Sequence, residues 1–576
     1  MGRLSLSSQN RDGDHGDRDH GDRDHGECSG EDQENNRICN PGSTSPNVEV
    51  IIKASWTVWL ASFVALTNAI SFGMVIGFNS ASIDSLIDET KIIRNNQTGE
   101  IISGTIDWTD GYQSLFASIV ALGSLFGSLG AGPIMTLIGP KYSVISCHLP
   151  FLIGWVLVLD GSTITGLIIG RFLNGFSVGL ASGAVPIYCI EISTPNIRGV
   201  LGASFQLLTS VGVLIVAILA YFMRYDHVSW IAVGISVIGP AVMLFMPESP
   251  AFIYNRAKNR KSFGTLSAPD VVQETLPSTS LPVDSVLGAS VLVDSVLPDS
   301  VQVDPVEKEF SELTSAQRLR ILKTLKRLRT SSSDINFEFQ TISSSASAKI
   351  KQRLWLGWSE LRKKKVYKPL FLSLGLSFMQ QCCGVNAVLF FNHKIFAESG
   401  VKLATNVIVI LTGLVFTVFG IIGNLLVDKF GRKPLLFYTG IILMVALLIL
   451  ATYFQFKPSQ DEAIIEYGSK YGLIALISML SFMGTFMVAF GPITWMMVPE
   501  MTPYFARTFV TAIAVGINRL IVFLITEYFT EMSYLIGFNG VFYLFAEITF
   551  LSILFIKFLL PETKGKTMEE LDQLFD

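Results

Sequence analysis

Apolar runs of about 20 residues, each long enough to cross a bilayer core, dominate this chain. They begin near Trp56, Gln113, Ser143, Ile164, Val200, Trp230, Lys368, Ala404, Leu435, Tyr471, Phe509 and Gly537. These twelve runs predict an all-α membrane protein of twelve transmembrane helices in two six-helix bundles. Polar stretches set the boundaries: a tail over 1–53, a bundle over 54–254, a linker over 255–365, a second bundle over 366–560 and a tail over 561–576.

Basic residues orient the spans. Lys141, Arg198, the group from Lys351 to Lys368, Lys429, Arg432, Lys433 and Arg507 fall on one side, and the loop between spans 1 and 2 is acidic. Because Lys and Arg accumulate on the cytoplasmic side, that side is read as cytoplasmic. An even span count then puts both termini there, in a multi-pass plasma-membrane protein. The acidic loop carries the sequon Asn96-Gln97-Thr98, so Asn96 is the expected glycosylation site.

The two halves repeat. "IGPKY" after span 2 returns as "FGRKP" after span 8, "PIYCIEISTPNIRG" as "VPEMTPYFART", and "PESP" as "PETKG". Lys141 and Lys433, Glu191 and Glu500, and Glu248 and Glu562 are thereby paired at roughly matching offsets. Two six-span halves in one orientation are the pattern of transporters that rock about a midplane site.

Composition agrees. The chain is 50% hydrophobic and only 16% charged, where a soluble chain carries about a quarter. Phe (41) outnumbers Tyr (15), which suits surfaces that must not leave a hydroxyl in lipid. None of the six cysteines falls in a segment read as external, so no disulfide framework is indicated, and no cleavable signal pattern precedes span 1.

In the soluble parts, "RDGDHGDRDHGDRDHGE" (11–27) reads as a solvated, low-complexity tail or as a metal site. Its histidines lack supporting cysteines or helical spacing, and no metal or other cofactor is expected. In the linker, "VDSVL" recurs at 283–287 and 293–297. The segment "SAQRLRILKTLKRLR" (315–329) is a basic amphipathic helix, to lie on the anionic inner leaflet or pack beneath the bundle.

Glycines every four residues, Gly123 and Gly127 in span 2 and Gly175, Gly179 and Gly183 in span 4, let helices approach closely. Charges cluster at the cytoplasmic ends: Glu191 with Arg198, Glu248, Asp428 with Arg432, Glu500 with Arg507, and Glu562. They are interfacial solvation, or salt bridges that join the halves and break when that side opens. Polar residues deeper in the spans are costlier and serve as interhelical glue or ligand contacts. They are Gln206, Gln380, Gln381, Asn386, Trp495 and Asn518. Carboxamides both donate and accept hydrogen bonds, and an indole offers an apolar platform, so together they suit a neutral, hydroxyl-rich ligand. Gln381 and Asn386 are five apart, about 140° on a helical wheel, so a break near Gly384 is needed to bring both to one cavity.

The strings "GRFLNGFSVGLASGAVPIYCIEISTPNIRG", "PESP", "QQCCGVNAV", "VDKFGRK", "GPITW" and "PETKGKTMEEL" resemble the sugar porters of the major facilitator superfamily. "VALGSLFGSLGAGP" and "AFGPITWMMVPEM" look most like the insect facilitated trehalose transporter-like branch. The resemblance implies a central hexose or disaccharide site contacted by Gln206, Gln380, Gln381, Asn386, Trp495 and Asn518. It implies an inner gate of the charged residues named above, and an outer gate at Phe390-Phe391, where the family usually has a tyrosine.

The chain departs from that pattern. Gly139-Pro140-Lys141 lacks an arginine expected after span 2, and Ala251 replaces another after "PESP", so a less stable outward-facing state is expected. Phe416 stands where a polar residue is usual. Arg519 stands where a tryptophan is usual, as a substrate or anion contact or as a side chain snorkelling to the boundary. The acid that proton-driven sugar porters carry in span 1 aligns with Val75, which points to facilitated diffusion.

The leading expectation is a facilitative transporter of a sugar such as trehalose or glucose. A non-transporting sugar sensor, or a carrier of a less polar substrate, is the alternative. No nucleophile–base pair or phosphate loop suggests an enzyme. The expected partners are the sugar and the bilayer, with no nucleic acid, in a chain that functions as a monomer.

Overall fold

The structure is a computed structural model that describes residues 54–91, 93–94, 101–103, 106–264, 315–330, 335, 338–339, 342, 362–401, 403–458, 461–503 and 506–564. The histidine repeat, the "VDSVL" repeats and Asn96 lie outside them. The N-terminal half is built of α1 (Trp56–Thr90), α2 (Asp110–Ile138), α3 (Pro140–Asp160), α4 (Ile164–Ile192), α5 (Pro195–Phe222) and α6 (Tyr225–Met243). A short antiparallel hairpin, β1 (Ile93–Arg94) with β2 (Ile101–Ser103), follows α1 and marks one end of the bundle. Beyond α6 come α7 (Pro250–Gly264) and the amphipathic α8 (Ser315–Leu328).

The C-terminal half has α9 (Lys364–Cys382), α10 (Val385–Ser399), α11 (Thr405–Phe430), α12 (Arg432–Gln455), α13 (Asp461–Val488), α14 (Phe490–Glu500) and α15 (Arg507–Phe558). Among the described residues, eleven segments are long and apolar enough to cross a membrane. The last, Phe509–Phe558, is two crossings. At 1.5 Å per residue, a helix of its 50 residues would be about 75 Å long, more than twice a bilayer core. Gly537, at φ 74° and ψ 162°, leaves helical geometry inside it. Asn518 reaches the Ser377 carbonyl, while the Phe555 ring lies against Gly375, so the chain doubles back along α9.

Spans 7 and 10 are broken helices. Span 7 breaks between α9 and α10 at Gly384, whose φ is 89° and whose missing Cβ would stand 2.3 Å from the Phe545 ring. Positive φ and close approach each call for glycine there. Span 10 breaks at Ala489, three residues before Pro492, which has no N–H to return to the preceding turn.

Close helix packing follows the glycines. A Cβ at Gly175 would lie 2.1 Å from the Val120 carbonyl oxygen, and one at Gly127 2.0 Å from that of Phe176. The stripes of α2 and α4 therefore meet backbone to backbone. Each half has its own apolar core, and Ala117 and Ala121 of α2 join the core of the C-terminal half.

The helix α8 packs beneath the N-terminal half. Ile321 and Leu325 are fully buried with Tyr254 and Phe339 beside them, Leu328 joins the core of the N-terminal half, and Leu319 is exposed. Of the two placements open to this amphipathic segment, it takes the packed one. Arg329 just beyond it is buried, ion-paired with Glu338, and donates to the carbonyl oxygens of Ile192 (2.8 Å) and Ser193 (3.4 Å). It thus caps the carbonyl end of α4 with a cation, as the helix dipole favours.

Candidate functional site

The break at Gly384 builds the centre of the site. It turns α10 so that the Asn386 carboxamide donates to Gln381 Oε1, across the five-residue spacing. Gln381 Nε2 then donates to Asn518 Oδ1 of α15 (3.1 Å), and Asn518 Nδ2 donates to Gln380 Oε1 (2.9 Å). Gln380 Nε2 completes the cluster on the carbonyl oxygens of Phe490 (2.8 Å) and Gly491 (3.2 Å), at the break in span 10. Gln380, Gln381 and Asn518 are buried, while Asn386 is partly exposed. Four of the six deep polar residues therefore meet in one chain of hydrogen bonds within the C-terminal half.

The remaining two lie apart from that chain. The Gln206 carboxamide lies 4.0 Å from Met487 Sδ of the opposite half, and Trp495 is partly exposed on α14. The guanidinium of Arg519 sits over the Trp495 ring (5.7 Å to the centroid) and over the Phe72 ring of α1 (5.8 Å). Arg519 therefore lies between the two halves beside the carboxamides rather than reaching for the membrane boundary. Phe416, where a polar side chain is usual, is buried.

At the hairpin end the halves are joined. Asn79 of α1 donates to the Phe390 carbonyl oxygen (2.8 Å), Ser114 to Thr530 (3.1 Å), Ser118 to the Glu527 carboxylate, and Tyr534 to Asp110 (2.6 Å). Lys394 lies 3.8 Å from Asp110, and His393 lies 4.0 Å from Asp84. Phe390 and Phe391 are both buried, and the Phe391 ring stacks on Phe529 at 5.0 Å. Phe391 also leaves helical geometry (φ −110°, ψ 21°), so the position expected to gate is a kink in α10. At this end the halves are thus joined by polar contacts over a stacked aromatic pair.

At the opposite end the sequence repeat becomes a structural one. Gly139 (φ 95°) and Gly431 (φ 88°) end α2 and α11 alike. Glu248 accepts from the Lys141 N–H (3.0 Å), as Glu562 accepts from those of Arg432 (3.1 Å) and Lys433 (2.9 Å). Glu191 accepts from Ser249 Oγ (2.5 Å), as Glu500 accepts from Thr563 Oγ1 (2.6 Å). Charge breaks the symmetry. Arg432 pairs with Glu500 at 3.2 Å, whereas Pro140 occupies the corresponding place in the N-terminal half. This ion pair lies within one half and does not join the two. The side chains of Arg198 and Asp428 lie outside those described.

The paired glutamates differ electrostatically. Burial pushes the Glu248 carboxyl up, against the pull of the Ser249 and Lys141 N–H groups. Burial acts in the same direction on Glu562, but the N–H groups of Lys564, Lys433, Arg432 and Thr563 outweigh it and hold that carboxyl below its ordinary value.

Two functional candidates escaped the reading of the sequence. Arg171 of α4 is fully buried, donates to the Val75 carbonyl oxygen (3.0 Å), and lies over the Phe116 and Phe78 rings. A cation therefore faces the very position in span 1 where an acid would couple transport to protons. Glu527 is the second, and its signal was visible: an acid inside the apolar run "IVFLITEYF".

The family model described as "Sugar (and other) transporter" matches residues 62–279 and 314–575. Curated relatives include the facilitated trehalose transporters Tret1 of Drosophila grimshawi (27% identical over 92% of this chain and 49% of the relative) and of Culex quinquefasciatus (26%, 92% and 88%). The chain spans about half the length of the first of these relatives. Among solved structures, the inward-open xylose transporter XylE of E. coli superposes with a TM-score of 0.63 at 19% identity, covering 90% of this chain and 100% of that one, and so shares the fold. On a match that covers most of both bundles, the chain belongs to the family of sugar (and other) transporters.

Proposed function

We propose that this protein carries a sugar such as trehalose or glucose down its gradient by alternating access. It would do so as a monomer in the plasma membrane, with both termini cytoplasmic. The observation that carries the reading is the carboxamide chain Gln380–Asn518–Gln381–Asn386, assembled where spans 7 and 10 are both broken. Such groups exchange partners with hydroxyls at little cost, because each offers donors and an acceptor. The curated relatives named above, facilitated trehalose transporters, motivate the cargo.

On this reading each part has a role. Asn386 and Gln206, both partly exposed, are the first groups a sugar meets, and Trp495 supplies a ring face. Opening the hairpin end requires the six contacts between halves to part while Phe391 unstacks from Phe529. Arg171 donates to the Val75 carbonyl oxygen, a position without a titratable acid, which supports uniport over proton coupling.

Uptake of labelled trehalose and glucose into vesicles reconstituted with the protein tests the reading, with Gln381→Ala beside wild type. Flux that saturates, falls at least tenfold in the variant and ignores a pH gradient supports it. Binding without flux would make the protein a sensor, and concentrative uptake driven by acid would exclude uniport.

A further inference from the structure

We propose that the central site takes a hydroxylated solute bearing one anionic group, a carboxylate or a phosphate, which Arg519 binds beside the carboxamide cluster. The inference rests on the transport reading and replaces its neutral cargo with an anionic one. Arg519 follows directly on Asn518, whose carboxamide is the hub of the cluster. Its guanidinium is held between Phe72 of one half and Trp495 of the other.

What sets this arginine apart is its lack of a partner. Among the described residues no carboxylate or carbonyl group pairs with it, and its Nε is buried with no acceptor. Among the described residues the buried arginines keep protein acceptors, Arg171 in the carbonyl oxygens of Val75 and Phe116 (although one of its Nη groups has none) and Arg329 in Glu338 and two carbonyl groups, whereas the partly exposed Arg519 has none. The nearest acid along its own helix is Glu527, eight residues on, or about 12 Å along the axis, and it is held by Ser118.

A guanidinium stacked between rings keeps its edge free. That edge presents N–H groups in a plane that matches a carboxylate or phosphate in two parallel bonds. Ring faces attract the cation but accept no conventional hydrogen bond, so its donors remain for a ligand. A neutral sugar offers oxygens without compensating the charge, and an intramembrane cation lacking an opposite charge is costly. An anionic sugar meets both needs, its hydroxyls at Asn386 and Gln206 and its charge at Arg519.

The test is uptake of labelled glucuronate, glucose 6-phosphate, glucose and trehalose by the full chain in vesicles. Wild type, Arg519→Gln and Arg519→Lys are compared by the ratio of anion flux to glucose flux. A charge-assisted pair predicts that this ratio falls about tenfold or more in Arg519→Gln and is partly restored in Arg519→Lys. The glucuronate and phosphate arms separate the two anion chemistries. A wild-type preference for neutral sugars, or a ratio unmoved by Arg519→Gln, overturns the inference.

If no solute crosses, the transport reading fails by itself and binding decides. The readout is then quenching of the fluorescence component that Trp495→Phe removes. Quenching by glucuronate or glucose 6-phosphate at about tenfold lower concentration than by glucose, lost in Arg519→Gln, sustains the anion site. Equal quenching by all four solutes, or none by the anions, rejects it.

Discussion

Replacing Ser118 with Ala removes one identified bond from the closed hairpin end. The hydroxyl donates to the Glu527 carboxylate across the two halves, and a hydrogen bond to a charged group contributes about 1.5–3 kcal/mol. Glu527 is partly exposed, so water replaces much of that bond once the hydroxyl is gone. The closed state should therefore lose about 1 kcal/mol, roughly a fivefold shift in the equilibrium between closed and open. Five neighbouring contacts remain, from Asn79, Ser114, Tyr534, Lys394 and His393, so the fold itself should survive. Spin labels at Asp107 and Ala397, exposed positions in opposite halves at that end, read the equilibrium as two populations of distances. The long-distance population should grow about fivefold in Ser118→Ala and no further in Ser118→Ala with Glu527→Gln. Unchanged populations, or additive effects of the two substitutions, would refute the assignment of this pair to the closed state.

Three further outcomes are expected. Gly127→Leu should block assembly of the N-terminal half, since its Cβ would meet the Phe176 carbonyl oxygen at 2.0 Å, whereas Gly132→Leu on the same helix, with nothing within 4 Å, should be tolerated. Yield of monodisperse protein in detergent checks the contrast. Gly384→Ala combines a left-handed backbone, about 1–2 kcal/mol against L-residues, with a clash on Phe545, and should lower the melting temperature and saturable uptake together. The paired glutamates should respond oppositely to pH. Glu562, held below its ordinary 4.5, stabilises the fold above that value and loses the contribution as pH falls through its folded pKa. Glu248, pushed above 4.5, makes the fold lose stability as pH rises from 4.5 through its folded pKa. Melting curves of each Glu→Gln variant against wild type over a pH series read both signs.

Much of the architecture was legible because lipid forces regularity: a backbone that must satisfy itself gives long apolar helices, and these are counted directly. The break at Gly384 was legible too, since two carboxamides five apart cannot share a cavity on an unbroken helix. The bonds that close the hairpin end were not. Ser114, Ser118 and Thr530 resemble the hydroxyls that elsewhere bond back to their own helix, as Ser128 does to Ser124, and only the crossing of α2 with α15 selects their partners. Arg519 was ambiguous for a related reason. Its depth depends on where span 11 starts, which periodicity leaves open by a turn, and the rings of Phe72 and Trp495 that hold it come from distant helices.

The missing gate arginines take on a different meaning once the linker is included. Both halves keep the same backbone device, a glycine of positive φ followed by a helix whose first N–H groups are capped by a glutamate. In the C-terminal half a cation from that device, Arg432, also reaches Glu500. In the N-terminal half Pro140 cannot. Cations from the linker add to the motif's Lys141, whose Nζ donates to the Leu244 carbonyl oxygen (2.7 Å): Arg327 donates to that of Phe245 (3.0 Å), and Arg329 to those of Ile192 and Ser193. The end of α4 and the segment after α6 are thereby tied to α8, which Ile321, Leu325 and Leu328 anchor by burial. Motif arginines act within a half, whereas linker arginines act from a segment that precedes the second half in the chain. In this protein the linker therefore joins the repeat motif in holding the underside of the N-terminal half.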